Sequence, residues 1–173
     1  MDDITRVFIH GLDSSSRGTK GSYFRKRYPD MLIGNYSGSL KERMDKLLNN
    51  IANTDNLIIV GSSYGGLMAT IFACMNESRV RRLILLAPAL SYTDFSAYCK
   101  KPLQIPVIIY HGNRDTVVLP EPTRKTARVL FRDFDYRLVV DDHNLHMIFP
   151  EIDWDNLLEV RHESLTKPCR KYD

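Results

Sequence analysis

Short apolar runs alternate along the chain with longer stretches in which apolar residues recur at helical spacing. RVFIHG (6–11), MLIGNYS (31–37), NLIIVGS (56–62), RRLILLAPA (81–89), PVIIYHG (106–112) and YRLVVDD (136–142) read as six strands. Most are unbroken apolar runs rather than strict alternations, the pattern of strands buried on both faces. Helical patterns lie between them. Residues 19–28 offer Tyr23, Phe24 and Tyr28 as apolar contacts. Residues 39–53 place Leu40, Met44, Leu47, Leu48 and Ile51 on one face, with Ser39 as N-cap and Glu42 closing a capping box. Residues 64–76 form an apolar helix, another covers 122–131, and a last one covers 151–162.

Six alternations of strand and helix predict an α/β fold, a three-layer α/β/α sandwich around a sheet of about six strands, mainly parallel. No internal repeat, low-complexity segment or linker interrupts the pattern, so residues 1–173 read as a single domain. The longest connection without periodicity is residues 89–104.

Composition narrows the function classes. With 173 residues and 43% apolar content, the chain can bury a sizeable core. A net charge of +3 is too mild to imply a nucleic-acid partner. The basic clusters Arg25-Lys26-Arg27, Arg79 with Arg81-Arg82, and Lys167 with Arg170-Lys171 are scattered, as solvated helix ends and a polar tail would be. Cys74, Cys99 and Cys169 are odd in number and widely spaced, which argues against a disulfide framework or a zinc site. Cys74, in an apolar helical run, reads as a small core residue. MDDITRVFIHG has neither a basic start nor a long apolar segment, so no secretory leader is expected. No apolar stretch reaches ~18 residues, so no membrane span is expected either. These features together suggest a cytoplasmic setting with reduced thiols.

The chemistry gathers at strand ends. In open α/β sheets, ligands bind beyond the carboxyl ends of the strands. HGLDSSSRG follows strand one, GSSYGG strand three, HGNRDTVV strand five and DDHNLHM strand six. A nucleophile elbow requires G-x-S-x-G between strand and helix. Gly61-Ser62-Ser63-Tyr64-Gly65 fits that frame when centred on Ser63; centred on Ser62, the flanks are Val60 and Tyr64, and it fails. A serine hydroxyl needs a base. His10 and His111 each precede a glycine at a strand end and read as structural hydrogen-bonders, and His162 lies in the polar tail. His143 follows the last strand, with His146 one turn further as a rim residue, so His143 is the candidate base. Asp115, in the loop after strand five, is the candidate acid. Asp141 and Asp142 are too near His143 in sequence to orient its ring, and Asp94 sits in the long connection. Backbone N–H groups of Leu12 and Tyr64 are the candidate oxyanion donors.

HGLDSSSRGTK and GSSYGG, with the order Ser63, Asp115, His143, resemble the α/β-hydrolase superfamily, and within it the small, nearly capless bacterial serine esterases of the YqiA-like group. The resemblance spans about residues 7–149. It implies a serine esterase with Ser63 as nucleophile, Asp115 as acid and His143 as base, on a minimal fold without the leading antiparallel strands and with the cap reduced to residues 89–104. The expected substrate is a small-molecule ester or thioester of short to medium acyl chain, without a metal, other cofactor, nucleic acid or membrane. Tyr92, Phe95, Tyr98 and Met147, with Leu12 and Tyr64, are candidates for an acyl pocket. Acyl transfer to another acceptor, peptide hydrolysis and a non-catalytic binding module are the alternatives on the same fold.

Overall fold

The computed structural model describes residues 3–159 and contains six strands, all parallel. These are β1 (Thr5–Ile9), β2 (Leu32–Ile33), β3 (Leu57–Ser62), β4 (Val80–Leu86), β5 (Val107–Gly112) and β6 (Phe134–Val139), in the order β2-β1-β3-β4-β5-β6. The helices are α1 (Thr19–Arg27), α2 (Leu40–Asn50), α3 (Tyr64–Met75), α4 (Pro120–Leu130) and α5 (Trp154–Leu157). Among the described residues no helix is long and apolar enough to cross a membrane.

Successive strand residues point to opposite faces, and the apolar runs therefore feed two cores. Val7, Ile59, Leu85 and Ile109 pack with Leu47 of α2, Phe72 of α3 and Ala127 of α4. Phe8, Val60, Ile84 and Tyr110 pack on the other side with Phe24 of α1 and Trp154 of α5. This is the three-layer arrangement that the unbroken apolar strands implied. β6 departs from it: as an edge strand it leaves Asp135, Arg137 and Leu138 exposed.

Element limits shift for identifiable reasons. β2 is two residues long rather than spanning 31–37, because the Tyr36 N–H donates to His10 Nε2 at 2.9 Å instead of to a neighbouring strand. β6 ends at Val139, before the buried Asp141 carboxylate accepts from the Met147 and Ile148 N–H groups and turns the chain. α4 begins at Pro120, two residues early; both Pro120 and Pro122 sit in the first turn, where an N–H has no helical partner to lose. Of the helix expected over 151–162, a 3₁₀ turn takes Phe149–Glu151, Asp153 caps the short α5, and the part beyond 159 lies outside the described residues. Ser39 and Glu42 make both halves of the capping box.

The basic clusters are not all simple solvated ends. Arg25, Lys26 and Arg27 fall in the last turn of α1, where positive charge suits the helix dipole. Arg79, by contrast, ties α2 to the strands by donating to the Ile51 and Thr54 carbonyls. The cluster at 167–171 lies outside the described residues.

Cys74 and Cys99 form a disulfide, which corrects the expectation of unpaired cysteines. A sequence separation of 25 conceals that the end of α3 and the 89–104 connection meet, with Cα atoms 4.8 Å apart. Cys169 lies outside the described residues. Closing a loop of this length should stabilise the fold by about 3 kcal/mol. Cys99→Ser is therefore expected to lower the urea midpoint of oxidised protein and to leave fully reduced protein unchanged. Equal midpoints under oxidising conditions would remove the cross-link from the account.

Candidate active site

Because every strand is parallel, the loops after β1, β3, β5 and β6 leave one edge of the sheet. β3 turns into α3 with Ser63 at the corner, at φ +53° and ψ −117°. A left-handed φ on a residue with a side chain costs about 1–3 kcal/mol and survives only when its surroundings enforce it. Here the end of β4 does so: Ser63 N–H donates to the Leu86 carbonyl at 2.8 Å, and Ala89 N–H donates to the Ser63 carbonyl at 3.0 Å. Glycine is required at 65, since a Cβ there would lie 2.1 Å from the Ile9 carbonyl oxygen. A Cβ on Gly11 would lie 3.2 Å from Ser63 Cβ, so the first loop passes directly beside Ser63.

Three side chains from three loops then meet in line. Ser63 Oγ is 3.0 Å from His143 Nε2, and His143 Nδ1 is 2.7 Å from Asp115 Oδ2. Asp115 is buried, and its Oδ1 accepts from the Val117 and Val118 N–H groups at 2.9 and 2.8 Å. The neighbouring acids are engaged elsewhere. Asp141 Oδ2 holds the Met147 and Ile148 N–H groups, while Asp142 Oδ1 holds those of Asn144 and Leu145. His146 is exposed and faces Asp142 Oδ2 at 3.1 Å rather than Ser63. Lys20 Nζ donates to the Asn144 carbonyl at 2.6 Å and so ties the loop of His143 to α1. Burial lowers the pKa of Lys20 from its ordinary value.

The backbone N–H groups of Leu12 and Tyr64 have no hydrogen-bond partner among the described residues. Tyr64 opens α3, where the first N–H groups have no helical acceptor. Arg43 of α2, buried behind both, donates to the Gly38 and Leu12 carbonyls at 2.9 and 3.4 Å. Its guanidinium lies 5.5 Å from the centre of the Tyr64 ring, so one side chain braces both residues that flank Ser63. Sequence reasoning misses Arg43, although its place three residues after Leu40 and four before Leu47, at the border of the apolar face, is a signal that it is buried.

A cavity of about 500 Å³ opens over Ser63 and His143. Of the six candidate pocket residues, Leu12, Tyr64 and Tyr92 line it. Phe95, Tyr98 and Met147 do not. Phe95 is buried in the core shared with α3 and α4, Tyr98 packs against that core, and Met147 points into solvent. The aromatics of the connection mostly cover the sheet rather than the ligand space. Tyr92 is the exception: its hydroxyl donates to the Val117 carbonyl at 2.7 Å and carries the connection across to the Asp115 loop. Val117, Val118 and Lys20 also line the cavity. The two valines could have been found as the apolar pair just after Asp115.

His10 and His111 are both buried. His10 Nε2 accepts from Tyr36 N–H, and Nδ1 faces the Gly11 carbonyl at 2.7 Å. Burial holds both rings below the ordinary histidine value of 6.5. The unfolded chain takes up protons at these rings as pH falls through 6.5, the folded chain only further down, so the unfolded state is favoured by acid. The unfolding free energy is therefore expected to fall as pH drops below about 6.5. Urea midpoints on either side of that value check this, and a rising midpoint on acidification would contradict it.

With the geometry in place, sequence comparison is decisive for the family. A family model described as the alpha/beta hydrolase fold matches residues 10–101, more than half of the chain. The chain belongs to the alpha/beta hydrolase fold family. The matched segment holds the first loop and Ser63, whereas Asp115 and His143 lie beyond it and rest on the distances above. No curated protein matches the chain. Solved alpha/beta hydrolases resemble it in fold. Alpha/beta hydrolase domain-containing protein 10 from mouse is 19% identical, with a TM-score of 0.66 over 81% of this chain and 82% of that one. Est1E from Butyrivibrio proteoclasticus with bound ferulic acid is 16% identical, with a TM-score of 0.69 over 91% and 88%. An alpha-beta serine hydrolase homologue from Coxiella burnetii is 16% identical, with a TM-score of 0.66 over 90% and 84%.

Proposed function

We propose that this protein is a serine hydrolase that cleaves carboxylic esters of short to medium acyl chain through an acyl-enzyme, with thioesters of the same acyl groups as a second class. The observation that carries the reading is the line from Ser63 Oγ through His143 to Asp115, at 3.0 and 2.7 Å. In this reading Ser63 Oγ attacks the acyl carbon and its proton passes to His143 Nε2. The carbonyl oxygen takes up negative charge between the N–H groups of Leu12 and Tyr64. His143 then gives the proton to the leaving alcohol. A water, deprotonated by the same ring, releases the acid and restores Ser63. Asp115 keeps the His143 proton on Nδ1 and stabilises the imidazolium.

The cavity supports a small, apolar acyl group. Leu12, Tyr92 and Val117 give it an apolar wall, and of residues 89–104 Ala89 and Tyr92 line it. An open site of this kind suits small-molecule esters rather than a nucleic acid, and it resembles what the YqiA-like esterases imply. A cytoplasmic setting stays part of the proposal. There a thiol pool would act on the Cys74–Cys99 bond, and alkylation of protein drawn directly from cells reads which state it holds.

The test is labelling by a fluorophosphonate together with hydrolysis of p-nitrophenyl esters of graded chain length and of matched thioesters. The expected result is one phosphonyl adduct, on Ser63, and rates that decline for long chains. Protein that neither labels nor hydrolyses any ester would leave a binding module as the reading. Labelling without hydrolysis, with turnover restored by an amine or alcohol acceptor, would indicate acyl transfer.

A further inference from the structure

The reaction above uses one histidine, yet two converge on Asp115. His111, at the end of β5, is fully buried on the same face of the sheet as α3 and α4. Its Nε2 lies 2.8 Å from the Val118 carbonyl and 3.1 Å from Asp115 Oδ2, the oxygen that also faces His143. Its Nδ1 lies 2.9 Å from the Tyr136 hydroxyl, which is 3.1 Å from the Pro120 carbonyl.

These partners assign the protons. Both groups facing Nε2 are acceptors only, so Nε2 carries a hydrogen shared between them. Burial disfavours a charged ring and lowers the His111 pKa. Nδ1 is therefore the bare nitrogen, and the single Tyr136 O–H is shared between it and the Pro120 carbonyl. The ionisable groups around this ring are Asp115 and His143 from the two loops and Tyr136 from β6, with Arg124 and Glu121 of α4 acting on Tyr136. Burial pushes the Tyr136 hydroxyl well above the ordinary tyrosine value, so it remains a donor at every working pH.

We propose that His111, supported by Tyr136, is a positioning residue that holds Asp115 Oδ2 in line with His143 and shares that oxygen's charge. The proposal rests on the Ser63–His143–Asp115 reading. Two consequences follow from elementary electrostatics. First, His111 anchors the Asp115 loop to the rigid end of β5 through both a carboxylate and a backbone carbonyl. Second, a donor on Oδ2 besides His143 weakens the pull of that oxygen on the protonated base. Without His111, the imidazolium of His143 is better stabilised and keeps its proton to higher pH. Loss of the Tyr136 O–H makes Nε2–H a poorer donor, so it should act in the same direction but less strongly.

The test compares wild type, His111→Leu, His111→Gln and Tyr136→Phe by two readouts. One is the pH profile of kcat/KM for p-nitrophenyl acetate; the other is the titration midpoint of the His143 ring by NMR, which needs no turnover. His111→Leu is expected to lower kcat about tenfold. It should also move the acid limb and the NMR midpoint upward by roughly half a pH unit. His111→Gln retains a donor N–H and should bring the limb back toward wild type. Tyr136→Phe should move it up by less. A folded His111→Leu protein with reduced kcat but an unmoved limb and midpoint would leave His111 a structural residue only and overturn the proposal, as would a Gln variant no better than Leu. If the Leu variant does not fold, the Tyr136→Phe shift decides: an upward midpoint supports the proposal, and an unmoved one overturns it. Failure of the esterase reading shows separately, as wild type without turnover or label, and leaves the NMR comparison to judge the His111–Asp115–His143 coupling alone.

Discussion

Replacing Ser63 by alanine is expected to lower kcat for p-nitrophenyl butyrate by as much as ~10⁶ and to abolish fluorophosphonate labelling. The size follows from what is lost. In the proposed reaction, loss of Oγ removes the acyl-enzyme and leaves His143 only water to activate, with the Leu12 and Tyr64 N–H groups still in place for an oxyanion. Ser62, the adjacent hydroxyl, cannot substitute: it ends β3, and the His143 contact is to Ser63. The same position links catalysis to stability. Ser63 is held at φ +53°, so Ser63→Gly removes the side chain and the reason for strain together. That variant should be inactive but more stable than Ser63→Ala by about 1 kcal/mol. Activity within tenfold of wild type in Ser63→Ala would remove the proposed nucleophile, and equal stability of the two variants would remove the strain argument.

Much of this arrangement was legible in the chain because it depends on local rules. The strands announce themselves as β-branched and leucine-rich runs, and their parallel order follows from intervening helices of sufficient length. The elbow is a local motif whose glycines answer to contacts with the Ile9 carbonyl and with the neighbouring turn. Asp115 and His143 could be chosen because parallel strands bring their loops to one edge, and the chain order leaves few acids and bases there. Direction alone excludes Asp141 and Asp142 as orienters of the His143 ring, and in the fold both carboxylates hold backbone N–H groups of the His143 loop.

What escaped the sequence depends on distant pieces meeting. Cys74 and Cys99 are joined only after α3 and the 89–104 connection dock. The role of His111 needs both the Asp115 loop folded back over β5 and Tyr136 diagonally across on β6, a register no local pattern specifies. Arg43 borders the apolar face of α2, but the carbonyls of Gly38 and Leu12 that it serves come from segments no helical pattern brings there. Phe95 and Tyr98 show the converse: aromatic residues in a connection near a site suggest ligand contacts, whereas the core beneath the connection takes them up.

Asp115→Asn is expected to lower kcat by about 10⁴ near neutral pH while changing KM little. The hydrogen bonds dictate how the new amide sits. Oδ1 receives two backbone N–H groups, from Val117 and Val118, so the amide oxygen must take that place. The NH₂ group then occupies the position of Oδ2, facing His143 Nδ1 and His111 Nε2. As a donor it forces the His143 proton onto Nε2, which now points a hydrogen at Ser63 Oγ and cannot accept one. It also faces the Nε2–H of His111, so a second tautomer must change or the loop must shift. Activity should return partly at high pH, where hydroxide rather than the imidazole removes the Ser63 proton. His146→Ala, exposed and turned toward Asp142, should stay within a few-fold of wild type and serves as the control for the same loop. The comparison is one of pH–kcat profiles with folding checked by circular dichroism. A loss below tenfold in well-folded Asp115→Asn would mean that another group orients the base, and a larger loss in His146→Ala than in His143→Ala would reassign the base itself.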